Sequence, residues 1–201
     1  CWADLNNDGV INNLDRVKVG NLFPTVTGGF STTLGYKDFS LYARFDYALG
    51  HTLYNDLAAR SLGQYQGSFN IIDMVKDSWS ETNQDTDIPK FYYADQLSKK
   101  NITRSNNGLT AVDNNSSRFY EKGDYLALRE ITLTWNLPKK WINKALMSNA
   151  SVYVTGQNLF YITGYTGVSP EPAVDTTYGQ GLDNGRYPTP KTVLLGLSVT
   201  F

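Results

Sequence analysis

Five stretches of this 201-residue chain alternate side chains with a period of two. In residues 26–36, Val26, Gly28, Phe30, Leu34 and Tyr36 share one face. In 39–49, Phe39, Leu41, Ala43, Phe45, Tyr47 and Leu49 oppose Ser40, Tyr42, Arg44, Asp46 and Ala48. The third run, 125–137, sets Tyr125, Ala127, Arg129, Ile131, Leu133 and Trp135 against Leu126, Leu128, Glu130, Thr132 and Thr134. A less regular fourth run covers 150–162, and the last sets Val193, Leu195, Leu197, Val199 and Phe201 against Leu194, Gly196, Ser198 and Thr200. Successive side chains of a strand point to opposite faces, so the pattern predicts strands, with the first two runs joined as a hairpin at Lys37 and Asp38.

Alternation alone fits either a soluble sandwich, where a second sheet covers each apolar face, or a membrane barrel, where lipid covers it. The connections favour the barrel. They run long, short, long, short, long: 1–24, the turn at Lys37, 54–118, 138–149 and 163–189. Bacterial barrels have short periplasmic turns and long external loops, and counting back from a periplasmic C-terminus puts all three long segments outside. Five strands close no barrel, and an open edge in lipid leaves backbone groups unpaired, so the segment is expected to belong to a larger barrel. Within 54–118, SFNIIDMVKDSW predicts one short helix with Ile71, Met74, Val75 and Ser78 on a face.

Composition narrows the chemistry. Net charge is −1, with 18 basic and 19 acidic residues, which offers no broad attraction for nucleic acid. A single cysteine, Cys1, forms no intrachain disulfide; it fits a lipid-bearing first residue or a simple boundary of the sequence. One histidine, His51, gives neither a zinc cluster nor a Ser-His-Asp arrangement, and no paired catalytic constellation is present, so no enzyme is expected. His51 is read as a surface or interface residue. Neither a transmembrane helix nor a signal peptide is evident, and barrel strands need no such helix.

One motif suggests a metal. DLNNDGVINNLD sets Asp4, Asn6, Asp8, Val10 (through its carbonyl), Asn12 and Asp15 at the ligand positions of a calcium loop, with Gly9 at the sharp turn. The twelfth place holds Asp15 rather than the longer Glu, and residues 16–30, RVKVGNLFPTVTGGF, carry no helical stripe. The expected role is therefore a structural calcium that stiffens an external loop; the bland alternative is a turn held by its own Asx hydrogen bonds. In the longest loop, Trp79, Tyr92 and Tyr93 are candidates for stacking on a substrate, against the alternative of loop packing. Arg44, Asp46, Glu130 and Thr132 belong to polar faces and are expected to line a lumen.

Taken in order, DLNNDGVINNLDRVKVGN, PTVTGGFSTTLGYKDFSLYARFDYALGHTLYN, the SW and DIPKFYYAD pieces, SSRFYEKGDYLALREITLTWNLPKKWINK, VYVTGQNLFYITGYTGVSPE and GRYPTPKTVLLGLSVTF resemble the C-terminal region of SusC/RagA-like TonB-dependent outer-membrane transporters of Bacteroidetes. The resemblance spans essentially the whole chain. It implies an all-β segment, about five C-terminal strands of an antiparallel transmembrane barrel of about 22 strands. Its parts would be an extracellular loop (1–24), a hairpin (25–53), a long extracellular loop (54–118), a strand (119–137), a periplasmic turn (138–149), a strand (150–162), an extracellular loop (163–189) and a terminal strand (190–201). It also implies import of glycans or peptides, a SusD-like surface lipoprotein as lid, the TonB complex acting through parts not in this sequence, and contact with outer-membrane lipid and the rest of the barrel. The rival reading is a soluble, calcium-stabilised β-sandwich that binds carbohydrate.

Overall fold

Lys37 and Asp38 turn the chain back between strand β1 (Val26–Tyr36) and strand β2 (Phe39–Leu49), Lys37 taking a left-handed φ of 52°. The hairpin pairs in register from Val26 opposite Leu49 to Tyr36 opposite Phe39. In this computed structural model the described residues are 3–10, 13–59, 61, 72–88, 90–91, 117–171 and 181–201.

Two sheets form. The larger has five antiparallel strands in the order β1, β2, β5 (Tyr125–Asn136), β6 (Asn149–Thr163) and β8 (Thr192–Thr200), neighbours in space following chain order. The smaller has three, β4 (Tyr120–Lys122), β3 (Thr52–Asn55) and β7 (Leu182–Asp183), with β3 and β7 parallel. Sequence periodicity gave no sign of this second sheet, because strands of two to four residues are too short to display a period. The strand expected over 119–137 is therefore two strands of different sheets, separated at Gly123 and Asp124, and the connections 54–118 and 163–189 contain β3's end and β7.

The meander puts the described residues of segments 1–25, 50–124 and 164–191 at one end of the large sheet. The turn at Lys37 and the connection 137–148 lie at the other. That short connection holds helix α2 (Lys139–Ile142) and a 3₁₀ turn, Asn143–Ala145. Helix α1 (Asp56–Ala59) follows β3 directly. The helix expected within SFNIIDMVKDSW is a 3₁₀ turn at Asp73–Asp77; Ile71 and the residues just before it lie outside the described set.

The large sheet keeps one apolar face uncovered. Phe30 beside Phe45, Leu34 beside Leu41, Phe39 beside Trp135, and Val154 beside Leu195 continue this face across all five strands. Phe30 and Phe45 stack at 4.9 Å. Leu195 is 80% exposed and Leu197 65%. A sandwich would bury this row against a second sheet. The apolar clusters instead gather at the long-loop end: Tyr54, Ala59, Val75 and Phe119 within the small sheet and its helices, and Ala48, Tyr125, Ala127 and Tyr161 on the other face of the large sheet. No helix among the described residues is long and apolar enough to cross a membrane.

Candidate functional site

The alternation of β5 breaks at Arg129. Arg44 and Phe45 are consecutive on β2, but their partners on β5, Glu130 and Leu128, enclose Arg129 between them. On β6 the corresponding partners, Gln157 and Phe160, enclose two residues, and one of these, Asn158, takes a φ of 51°. One extra residue in a strand reverses the facing of all that precedes it. Tyr125 and Ala127, expected to share a face with Leu133 and Trp135, therefore point with Asp46 and Ala48 to the opposite side, and Leu126 and Leu128 take their places on the apolar face. Arg129, expected on the apolar side, is likewise moved to the polar one.

There it meets three partners. Its guanidinium pairs with both oxygens of Asp46, Nη2 to Oδ2 at 2.8 Å, and with Oε1 of Glu171. Nη1 donates to the Tyr161 hydroxyl at 3.0 Å, and that hydroxyl donates to Glu171 at 2.8 Å. Planar five-donor geometry suits such shared carboxylate recognition. Around it, Arg44 stands opposite Glu130, and the Thr132 and Thr155 hydroxyls bond at 2.8 Å. The polar residues read from sequence, Arg44, Asp46, Glu130 and Thr132, are thus on one face.

Glu171 lies on a strap, seen in the described residues 164–171, that leaves β6 and folds back over this face. Further bonds fix it. The Pro170 carbonyl accepts from His51 Nε2 at 2.9 Å, and Glu121 accepts both the Thr166 amide at 2.9 Å and its hydroxyl at 2.8 Å. Buried Asp183 accepts the Tyr165 hydroxyl at 2.7 Å and the amides of Val168 and Gly185. Burial, then the bond to Asp183, pushes the Tyr165 hydroxyl well above its ordinary pKa. Asn55, paired with Asp183 across β3 and β7, accepts the Ala58 amide at 3.0 Å and donates to Glu121 at 3.1 Å. His51 is not at the surface: it is 1% exposed, with its ring edge-on to Tyr125 and covered by the backbone of Gly123.

The Asp4 loop is built from Asx turns. Asp4 accepts the amides of Asp8 and Gly9, the latter at 2.8 Å; Asn6 accepts Asp8 and Asp8 accepts Val10; Asp15 accepts Leu5 at 2.8 Å. Gly9, at φ 80°, takes the turn a Cβ would strain. Among the described residues no three His, Cys, Asp or Glu side chains converge as a metal cluster, and Asn12 is outside the described set. Trp79 is 38% exposed, with the Lys90 ammonium 5.6 Å from its ring centre; Tyr92 and Tyr93 lie outside the described residues.

No protein-family model matches the chain. TonB-dependent receptor P26 of Formosa agariphila is 33% identical over 207 residues, covering all of this chain and 19% of that protein. TonB-dependent receptor SusC of Bacteroides thetaiotaomicron is 25% identical over 202 residues, again covering all of this chain and 17% of that protein. A solved structure of the RagAB peptide transporter superposes with a TM-score of 0.68 at 25% identity, over 90% of this chain and 17% of that one. The chain is homologous throughout to SusC/RagA-like TonB-dependent transporters. Like them it is outer-membrane β-barrel wall. It spans less than a fifth of the length of these relatives.

In a SusC/RagA-like barrel the uncovered apolar face meets lipid and the Arg129 face meets the lumen. Sequence reasoning missed Glu171, Tyr161, Tyr165 and Asp183 as partners. A signal existed: an arginine in a row destined for lipid is a contradiction that only a bulge removes.

Proposed function

We propose that this chain forms part of the wall and outer rim of an outer-membrane importer of glycans or peptides, driven through TonB and working with a SusD-like surface lipoprotein. The observation that carries the reading is the pairing of a largely apolar, uncovered face on five strands with a polar face over which the strap is bonded through Glu171. Fixed donors and acceptors on the lumenal side hold the strap and the small sheet with helix α1, together the cap, in one geometry, so the protein's part is scaffolding and positioning rather than bond chemistry. The neighbour described as a peptide transporter supports the peptide half of the substrate class, and the name SusC supports the lid partnership. Trp79 is a candidate contact for cargo or lid.

The loop at Asp4 fits a structural calcium by donor type. All its groups are hard oxygens, and each carboxylate oxygen that accepts one amide retains acceptor capacity. Asp4, Asn6, Asp8, the Val10 carbonyl, Asn12 and Asp15 would hold the ion and tie the loop to the segment leading into β1. Asp8→Ala is expected to lower metal content and the thermal stability lost to chelator; equal values in both proteins would overturn the calcium reading.

The importer reading is tested on the intact protein that carries this segment. Fractionation is expected to find it in outer membranes, extractable only with detergent, together with a surface lipoprotein, and importing labelled oligosaccharide or peptide only while the proton gradient stands. Recovery as a soluble monomer would sink it.

A further inference from the structure

The short-turn end of the sheet differs in charge from the rest of the molecule. Lys37, Lys139, Lys140 and Lys144 stand there against Asp38 alone, a net of +3, so the remainder of the chain carries −4 against a total of −1. The three lysines of the 137–148 connection are exposed. So are two large apolar side chains on the same connection, Trp141 at 57% and Leu146 at 88%.

Their position is fixed by the sheet. The Leu137 amide bonds the Ala150 carbonyl and the Ser148 amide bonds the Thr200 carbonyl, both at 2.8 Å, so the connection is stapled to β6 and β8. Trp141 lies edge-on to Trp135 at 5.9 Å, and Trp135 stacks with Phe39 at 6.1 Å. Phe39 and Trp135 belong to the apolar face. The lysines therefore stand on the rim where that face ends, beside an aromatic shelf continuous with it. Trp at such a boundary seats at headgroup level, and lysines there reach the phosphates.

We propose that this rim binds the headgroups of anionic phospholipids, Trp141 and Leu146 resting at the acyl boundary while Lys139, Lys140 and Lys144 gather the phosphates, with Lys37 adding charge from the neighbouring turn. The proposal rests on reading the large sheet as barrel wall with its short turns in the periplasm. Zwitterionic lipid would satisfy the aromatic shelf but not the uncompensated positive charge. Each lysine near an anionic surface contributes roughly a fivefold preference, weakened by salt.

The test uses the intact transporter in detergent, given equal phosphatidylglycerol and phosphatidylcholine, with retained lipid read by mass spectrometry and thermal stability followed in parallel. Phosphatidylglycerol is expected to be retained at least tenfold over phosphatidylcholine, the ratio falling towards parity in Lys139→Gln/Lys140→Gln/Lys144→Gln and with added salt. Lys37→Gln, on a separate turn, is expected to lower it about fivefold. Trp141→Ala should reduce retention of both lipids without changing the ratio. Equal retention by the unaltered protein, or an undiminished ratio in the triple variant, would overturn the proposal while leaving a detergent-requiring barrel. Extraction without detergent would instead remove the reading beneath it.

Discussion

Arg129 and Glu171 stand 42 residues apart in the chain and meet in an ion pair on the polar face of the large sheet, one from a bulge in β5 and the other from the strap. Neither position is free to vary alone, since the guanidinium is also held by Asp46 and Tyr161.

Removing the arginine should cost more than removing the glutamate. Arg129→Ala leaves two carboxylates side by side in a half-buried site and is expected to lower stability by about 3 kcal/mol. Glu171→Gln keeps a hydrogen bond but loses the charge, at about 1–2 kcal/mol. Arg129→Lys cannot span the same partners and should fall between them. Thermal unfolding of the intact protein in detergent gives the order, and limited proteolysis within 164–191 should quicken in the same order. Equal cutting in all variants would mean that the ion pair does not hold the strap.

Tyr165 sets an alkaline limit on the cap. Its folded pKa lies above its unfolded value of 10.0, so its contribution is fully present below pH 10 and is lost as pH rises beyond it. Tyr165→Phe removes one bond from buried Asp183 while leaving the Val168 and Gly185 amides in place. The expected cost at pH 7 is about 1–2 kcal/mol, with the decline above pH 10 becoming shallower. Amide exchange of Val168 and Gly185 against pH reads this locally.

Gly123 is the floor beneath His51. A Cβ there would overlap the imidazole whose Nε2 bonds Pro170, and the nearest ring atoms cannot withdraw, because the side chain is buried. Gly123→Ala should destabilise the cap by about 1–3 kcal/mol. His51→Ala placed on top of it should recover part of that loss. If the double variant is worse than the single by the full cost of His51→Ala, the two residues do not press on each other.

How legible was this fold? The strands of the large sheet announced themselves because Phe30, Leu34, Leu41, Leu195 and Leu197 repeat with period two over nine or more residues, and the long and short connections gave the up-and-down order. The small sheet did not, since Leu53, Glu121 and Asp183 act through strands too short to carry a period. Facing within β5 was misread at a single residue: a bulge at Arg129 adds no unusual composition, yet it moves Tyr125 and Ala127 across the sheet. Glu171 was hidden for another reason. Its charged partner Arg129 lies 42 residues away on β5, and only the strap's return brings the two together.

The two faces of β8 give the sharpest separation between membrane wall and soluble sheet. Leu194, opposite Thr155, lies on the polar face, whereas Leu195, opposite Val154, lies on the apolar face. Both are exposed on this segment, Leu194 at 47% and Leu195 at 80%, so exposure in water predicts that arginine is tolerated at either and better at Leu195. Lipid reverses that order. Leu195→Arg should cost about 2–4 kcal/mol near the bilayer midplane, and Leu194→Arg, reaching an aqueous lumen, much less. Reversible unfolding of the intact barrel in phospholipid vesicles measures the difference. Equal tolerance of both would mean that no hydrocarbon lies against Leu195, and the assignment of faces across all five strands would fall with it.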